Sequence, residues 1–178
     1  ADKARYQKDR EAPEETQLEM LKRLALTDQD FIELKSHCDS LGIEFLSSPF
    51  DEESVEFLSS LGIKAFKVPS GEVTNLPLLR LISSKRAPVI LSTGMSWLGE
   101  IEAAVQAVRS EYPCQVAILH CVSSYPAPAE DTNLRAMQTL SRAFALPVGF
   151  SDHSLGIEIS LAAATLGAVI IEKHLTLD

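Results

Sequence analysis

Six short apolar or β-branched runs recur along the sequence at intervals of roughly twenty to thirty residues, and each ends in polar side chains. They are GIEFLSS, AFKVPSG, PVILSTG, CQVAILHCVSS, LPVGFSD and AVIIEKH. Segments with helical punctuation separate them. Thr27, with Asp30 three residues on and Gly42 as a stop, frames one predicted helix. The acidic start of DEESVEFLSSLG and its closing Gly62 frame another. Ile101, Ala104, Val105 and Val108 share one helical face, and IEISLAAATLG is apolar enough to lie against a sheet. Runs buried on both faces and joined by helices require a parallel sheet.

Six βα units fit either an open doubly wound sheet or most of an eight-stranded barrel. The polar endings favour the barrel. They are Ser47 and Ser48; Lys67, Ser70 and Glu72; Ser92 and Thr93; His120, Ser123 and Tyr125; Ser151 and His153; Glu172 and His174. An open sheet would need reactive side chains only at its switch point, whereas a barrel gathers them from every strand at one mouth. The expected fold is therefore α/β, a partial (β/α)8 TIM barrel over residues 27–178 with about six of the eight units. Residues 1–26 are highly charged, contain Pro13 and show no apolar period, which predicts a surface loop or arm.

At 178 residues with 46% apolar side chains, the chain can bury one real core. No apolar run reaches the roughly 18–20 residues that cross a bilayer, and the first residues lack the apolar core of a signal peptide, so the expectation is a cytoplasmic protein with no membrane partner. Cys38, Cys114 and Cys121 form no CxxC pair and read as reduced thiols. A net charge of −9 disfavours nucleic acid and favours a small-molecule site.

His153 and His174 end two successive runs and would face one mouth. Neutral imidazoles bind Mn²⁺, Fe²⁺ or Zn²⁺, and the adjacent Asp152 and Glu172 could orient them. Either histidine alone reads first as a hydrogen-bonded core residue, and only the two together, on matching strand ends, make a metal pair an equal reading. His120 lies inside its run, where a packed histidine is expected. Lys67 emerges from an apolar strand and needs an anion, because an unpaired buried ammonium costs several kcal/mol. Ser48, Ser70, Ser92 and Ser151 could add hydroxyl donors around that anion. There is no GxGxxG and no GxxxxGK[ST], so a phosphate here is not gripped by a dinucleotide fold or P-loop. Gly94 allows close backbone approach just before a helix start.

The motifs FLSSPFDEESVEFL, FKVPSGEVTNLPLL, PVILSTGM, LHCVSSYPAPAEDTNLRAM and VGFSDHSLGIEISLAAATLGAVIIEKHLTLD resemble the catalytic barrel of the sialic acid synthase family, the bacterial N-acetylneuraminate synthases with their legionaminate and pseudaminate relatives. The resemblance implies condensation of phosphoenolpyruvate with an N-acetylmannosamine-type sugar, releasing phosphate. It implies a divalent metal on His153 and His174, usually Mn²⁺, with Mg²⁺ or Co²⁺ as alternatives. Lys67 and Ser70, with Ser48, Ser92 and Ser151, would bind phosphoenolpyruvate. Glu72 and Tyr125 would meet the sugar, with Ser123 beside them. Lys67, Glu72, His153 and His174 are the implied catalytic set.

The family pattern also includes two earlier strands, an aspartate after the E[RK]H strand and a C-terminal antifreeze-like domain that crosses to a partner in a homodimer. None of these is in this sequence, so the chain alone is expected to be inactive. The alternatives are another phosphoenolpyruvate-condensing barrel, a metal-dependent aldolase, or a catalytically incomplete sugar-binding fragment. A phosphorylated acceptor would call for an arginine cluster. Arg80, Arg86, Arg109, Arg135 and Arg142 instead fall in predicted helices or beside them.

Overall fold

The computed structural model describes residues 16–176. The chain divides into two units, residues 1–45 and 46–178. In the first, α1 (Gln17–Leu24) and α2 (Asp28–Leu41) each begin at a reciprocal cap. Thr16 N–H donates to Glu19 Oε2 at 2.8 Å and Glu19 N–H donates to Thr16 Oγ1 at 3.2 Å. Thr27 and Asp30 repeat the arrangement at 2.7 and 3.3 Å. Gly42 ends α2 in the left-handed conformation, φ 70°, which glycine adopts without a Cβ penalty. Phe31 meets Phe45 edge to face, 6.2 Å between ring centres.

Helix α1 corrects the expectation of a charged loop or arm over residues 1–26. The Thr16-x-x-Glu19 box and leucines at 18, 21 and 24 are a helical signal that the surrounding charge obscured. Residues 1–15 of that expected arm lie outside the described residues.

The second unit alternates α3 (Glu52–Ser60), β1 (Phe66–Val68), α4 (Leu76–Ser84), β2 (Val89–Ser92), α5 (Leu98–Val108), β3 (Val116–Cys121), α6 (Ala136–Phe144), β4 (Val148–Asp152), α7 (Glu158–Thr165) and β5 (Ile171–Lys173). The strands form one sheet in sequence order, every neighbouring pair parallel. This is an α/β fold built on a five-stranded parallel half-barrel. Asp51 caps α3 by accepting from Ser54 N–H at 2.7 Å, and Asn75 caps α4 by accepting from Leu78 N–H at 3.3 Å.

The strands are short, and their two faces differ in chemistry. Phe66, Val68, Val89, Leu91, Val116, Ile118, Val148 and Phe150 are all buried. Ile118, Val148 and Phe150 pack with Ile101 of α5, Met137 and Leu140 of α6 and Ala163 of α7 into one core. Since strand side chains alternate, Lys67, Ser92, Cys121, Ser151 and Glu172 occupy the other face.

The expected first strand at residues 42–48 is not one: that stretch is irregular and belongs to no ladder. Its apolar texture suits extended backbone, but a strand exists only where a neighbour accepts its hydrogen bonds, and β1 pairs with β2 alone. Among the described residues no helix is long and apolar enough to cross a membrane.

Candidate functional site

On the face turned away from the helices, Lys67 of β1 donates to Ser92 Oγ of β2 at 2.9 Å and lies 3.4 Å from Glu172 Oε2 of β5. In a flat sheet four strand spacings would separate β1 from β5 by roughly 19 Å. The contact therefore records the curl of the sheet, which turns one face into a concave trough. Only 12% of the Lys67 side chain is exposed. Its ammonium is compensated by the Glu172 carboxylate, the Ser92 hydroxyl and a longer bond to the Val68 carbonyl at 3.5 Å, and an arriving anion would share it with Glu172.

Glu172 also accepts from Ser151 Oγ at 2.6 Å, its partner in the β4–β5 register. Ser151 Oγ in turn lies 3.2 Å from His153 Nε2. His153 Nδ1 bonds the Val122 carbonyl at 2.7 Å. A carbonyl only accepts, so Nδ1 carries a proton, and in the neutral ring Nε2 holds the lone pair. Burial holds the His153 imidazole below its ordinary titration range, the nearby His174 adds to that, and the Val122 bond opposes it. His174 sits with its ring centre 5.6 Å from that of His153, and Tyr125 stacks on His153 at 4.1 Å and meets His174 edge-on at 5.8 Å.

The two imidazoles are the protein donors offered here. Among the described residues no three His, Cys, Asp or Glu side chains gather as a metal set. A neutral histidine fixed through its Nδ1–H, beside a second imidazole, suits a divalent ion that keeps open positions for oxygen ligands.

The remaining candidates lie along the same strand ends. Ser70 Oγ accepts from Gly94 N–H at 2.9 Å and contacts Cys121 Sγ at 3.2 Å. Gly94 fits against these side chains so closely that a Cβ there would sit 2.5 Å from Ser123 Oγ. Glu72 accepts from Asn75 Nδ2 at 2.8 Å in the turn after β1. Ser48 precedes α3 in an irregular stretch and makes no hydrogen bond to the others among the described residues.

Adjacency in sequence makes both Asp152 and Glu172 able to orient the histidines, and the structure separates the two. Glu172 shares the trough face with Ser151 and belongs in the site, where the strand period of two would have put it. Asp152 points to the helix side. Burial acts to raise its pKa, but hydrogen bonds from Ser154, Ser160 and Lys173 outweigh that and bring it to about 2. The orienting partner of His153 is the Val122 carbonyl instead. His120 is a packed histidine: it bonds the Thr132 carbonyl at 2.9 Å, lies 5.6 Å from the Phe150 ring, and is pushed below the usual imidazole range by burial.

None of Arg80, Arg86, Arg109, Arg135 and Arg142 lies on a strand. A cavity of about 640 Å³ past the ends of β2 and β3 borders Thr93, Trp97, His120, Cys121, Asn133 and Arg135, and takes in none of Lys67, Ser151, His153 or Glu172.

A sequence model described as "NeuB family" matches residues 1–178. The chain is 49% identical over 181 residues to the N,N'-diacetyllegionaminic acid synthase of Legionella pneumophila, covering 99% of this chain and 51% of that protein. It is 51% identical to the enzyme of the same name from Campylobacter jejuni, covering 100% of this chain and 54% of that one. The crystal structure of N-acetylneuraminic acid (sialic acid) synthetase from Leptospira borgpetersenii, in complex with citrate, superimposes with a TM-score of 0.84 at 40% identity, over 88% of this chain and 55% of that one. The chain thus spans about half the length of the curated relatives it matches.

Proposed function

Because this chain belongs to the NeuB family, we propose that it carries much of the active site of a synthase that condenses phosphoenolpyruvate with an N-acyl amino sugar. The product is a sialic-acid-type nonulosonate and the by-product is inorganic phosphate. The observation that carries this reading is the chain of contacts Ser92–Lys67–Glu172–Ser151–His153: an anion-binding ammonium and an imidazole pair at one end of one trough. The names of the relatives at 49% and 51% identity support an acceptor bearing two N-acetyl groups, and N-acetylmannosamine is the simpler candidate.

In this reaction the third carbon of phosphoenolpyruvate forms a bond to the aldehyde carbon of the open-chain sugar. Water adds to the second carbon, and the bond from that carbon to the phosphate oxygen breaks, so phosphate leaves with its electron pair. Lys67 holds the phosphate or carboxylate of phosphoenolpyruvate, with Ser48, Ser70, Ser92 and Ser151 as hydroxyl donors. Glu72 and Tyr125 orient the sugar, with Ser123 beside them. Glu172 sits where it can take a proton from the attacking water once the anion has drawn Lys67 away. His153 and His174 would hold the divalent ion, Mn²⁺ by this reading, which supplies Lewis acidity toward the sugar aldehyde. The arginines' positions off the trough favour an unphosphorylated acceptor. The free cysteines fit a cytoplasmic setting, and the whole enzyme is proposed to act as a homodimer.

The test is phosphate release from phosphoenolpyruvate with Mn²⁺, using N-acetylmannosamine and a 2,4-di-N-acetylated hexose in parallel, on this chain and on a polypeptide of its relatives' full length. Acceptor-dependent release with a nonulosonate mass is the expected result in the longer polypeptide. Release that ignores the acceptor, or no release with either sugar, overturns the proposal.

A further inference from the structure

We propose that the ion pair between buried Asp152 and half-buried Lys173 is a positioning element that sets the spacing of His153 and His174. This rests on the reading of those histidines as a metal pair. Asp152 and Lys173 are register partners in the β4–β5 ladder, and each immediately precedes one of the two histidines. Their side chains meet at 2.9 Å on the helix side of the sheet, opposite the trough, so they cannot touch substrate.

Asp152 is 1% exposed and fully occupied. Its Oδ2 accepts from Lys173 Nζ and from Ser160 Oγ of α7, at 2.9 and 2.5 Å. Its Oδ1 accepts from Ser154 N–H and Oγ at 2.8 and 2.6 Å. Lys173 also donates to the Ser154 carbonyl at 2.8 Å. One carboxylate therefore joins β4, the turn just past His153, β5 and α7.

The two histidines depend on this junction unequally. His153 has its own anchor on the Val122 carbonyl. His174 is held by the rings of Tyr125 and His153 among the described residues, so its place follows from where β5 ends. An apolar pair would glue the two strands at less desolvation cost, but it would not fix their register as a directional, fully bonded charge pair does. The arrangement is the kind of outer support that orients metal-binding imidazoles.

Two readouts on this chain test the role: Mn²⁺ titration, and ¹H–¹⁵N spectra of the four imidazoles, His37, His120, His153 and His174. Asp152→Asn and Lys173→Met should weaken Mn²⁺ binding roughly 10- to 100-fold. They should also move the His153 and His174 signals while leaving His37 and His120 in place. Lys173→Arg should restore both. Ser160→Ala, which removes one bond from Asp152, should give a smaller change in the same direction and serves if Asp152→Asn does not fold. Folded variants with parental Mn²⁺ affinity and unmoved His153 and His174 signals overturn the positioning role. If the parent chain takes no Mn²⁺, the metal reading falls separately, and the imidazole signals alone decide whether the pair positions the histidines.

Discussion

Lys67 on the first strand of the sheet and Glu172 on the last lie 3.4 Å apart. Four intervening strand spacings disappear in that contact, so the sheet must curl, and the curl brings a cation and a carboxylate together in one trough. Ser92 and Ser151 complete the row on either side.

Replacing Lys67 by Ala should weaken phosphoenolpyruvate binding by about 1.5–3 kcal/mol, the worth of a charge-assisted contact, or roughly 10- to 150-fold. Mn²⁺ affinity should stay at the parental value, because Lys67 touches neither histidine. Calorimetric titration with each ligand separates the two effects, and equal losses in both would contradict the assignment.

The histidines should behave in the opposite way. His174→Ala removes an exposed side chain, so its effect on stability should stay within about 0.5 kcal/mol. His153→Ala forfeits the Val122 bond and should cost about 1 kcal/mol. Both should abolish Mn²⁺ binding, with the urea midpoint near the parent's for His174→Ala and lowered by roughly 0.3–1 M for His153→Ala. Retained metal affinity in both variants would make them ordinary packed residues.

Gly94 and Gly71 offer a matched comparison. A Cβ on Gly94 would lie 2.5 Å from Ser123 Oγ, 2.9 Å from Cys121 Sγ and 3.0 Å from Ser70 Oγ, whereas one on Gly71 meets nothing within 4 Å. Gly94→Ala should therefore cost about 1–3 kcal/mol through overpacking and weaken phosphoenolpyruvate binding by displacing Ser70. Gly71→Ala should be near neutral in both assays. Equal effects at the two positions would count against the tight fit of the Gly94 turn.

Burial holds His120 below the usual imidazole range, which makes stability depend on pH. Below the ordinary value of about 6.5 the unfolded chain takes up this proton before the folded one does, so stability is full above that pH and falls as acid is added. The decline continues until the folded-state titration is passed. His153, shifted in the same direction, adds to it. His120→Gln should show a shallower loss of urea stability between pH 7 and pH 5 than the parent. A parallel decline in both proteins would mean that His120 does not contribute.

Much of this protein was written locally. The caps at Thr27 and Asp51 and the glycine stop at Gly42 follow from side chains that satisfy the nearest backbone groups, and they can be read within four residues. The βα alternation and the polar strand ends are likewise local, and Lys67, Ser92, Ser151, His153 and His174 stand out in the sequence at those ends. Strand parity also lay in the sequence: Glu172 and His174 are two apart, as are Ser151 and His153, so each pair shares a face.

Other features depended on partners distant in the chain. The run at residues 42–48 has strand texture without a ladder, because pairing is supplied by a neighbour rather than by the run itself. Whether Lys67 reaches Glu172, and whether Asp152 supports a histidine directly or clasps Lys173, depends on how far the sheet curls and which side each strand turns to the helices. Side-chain type specifies that a buried ammonium must be compensated. Only the packed sheet, bringing together residues more than a hundred positions apart, decides by what.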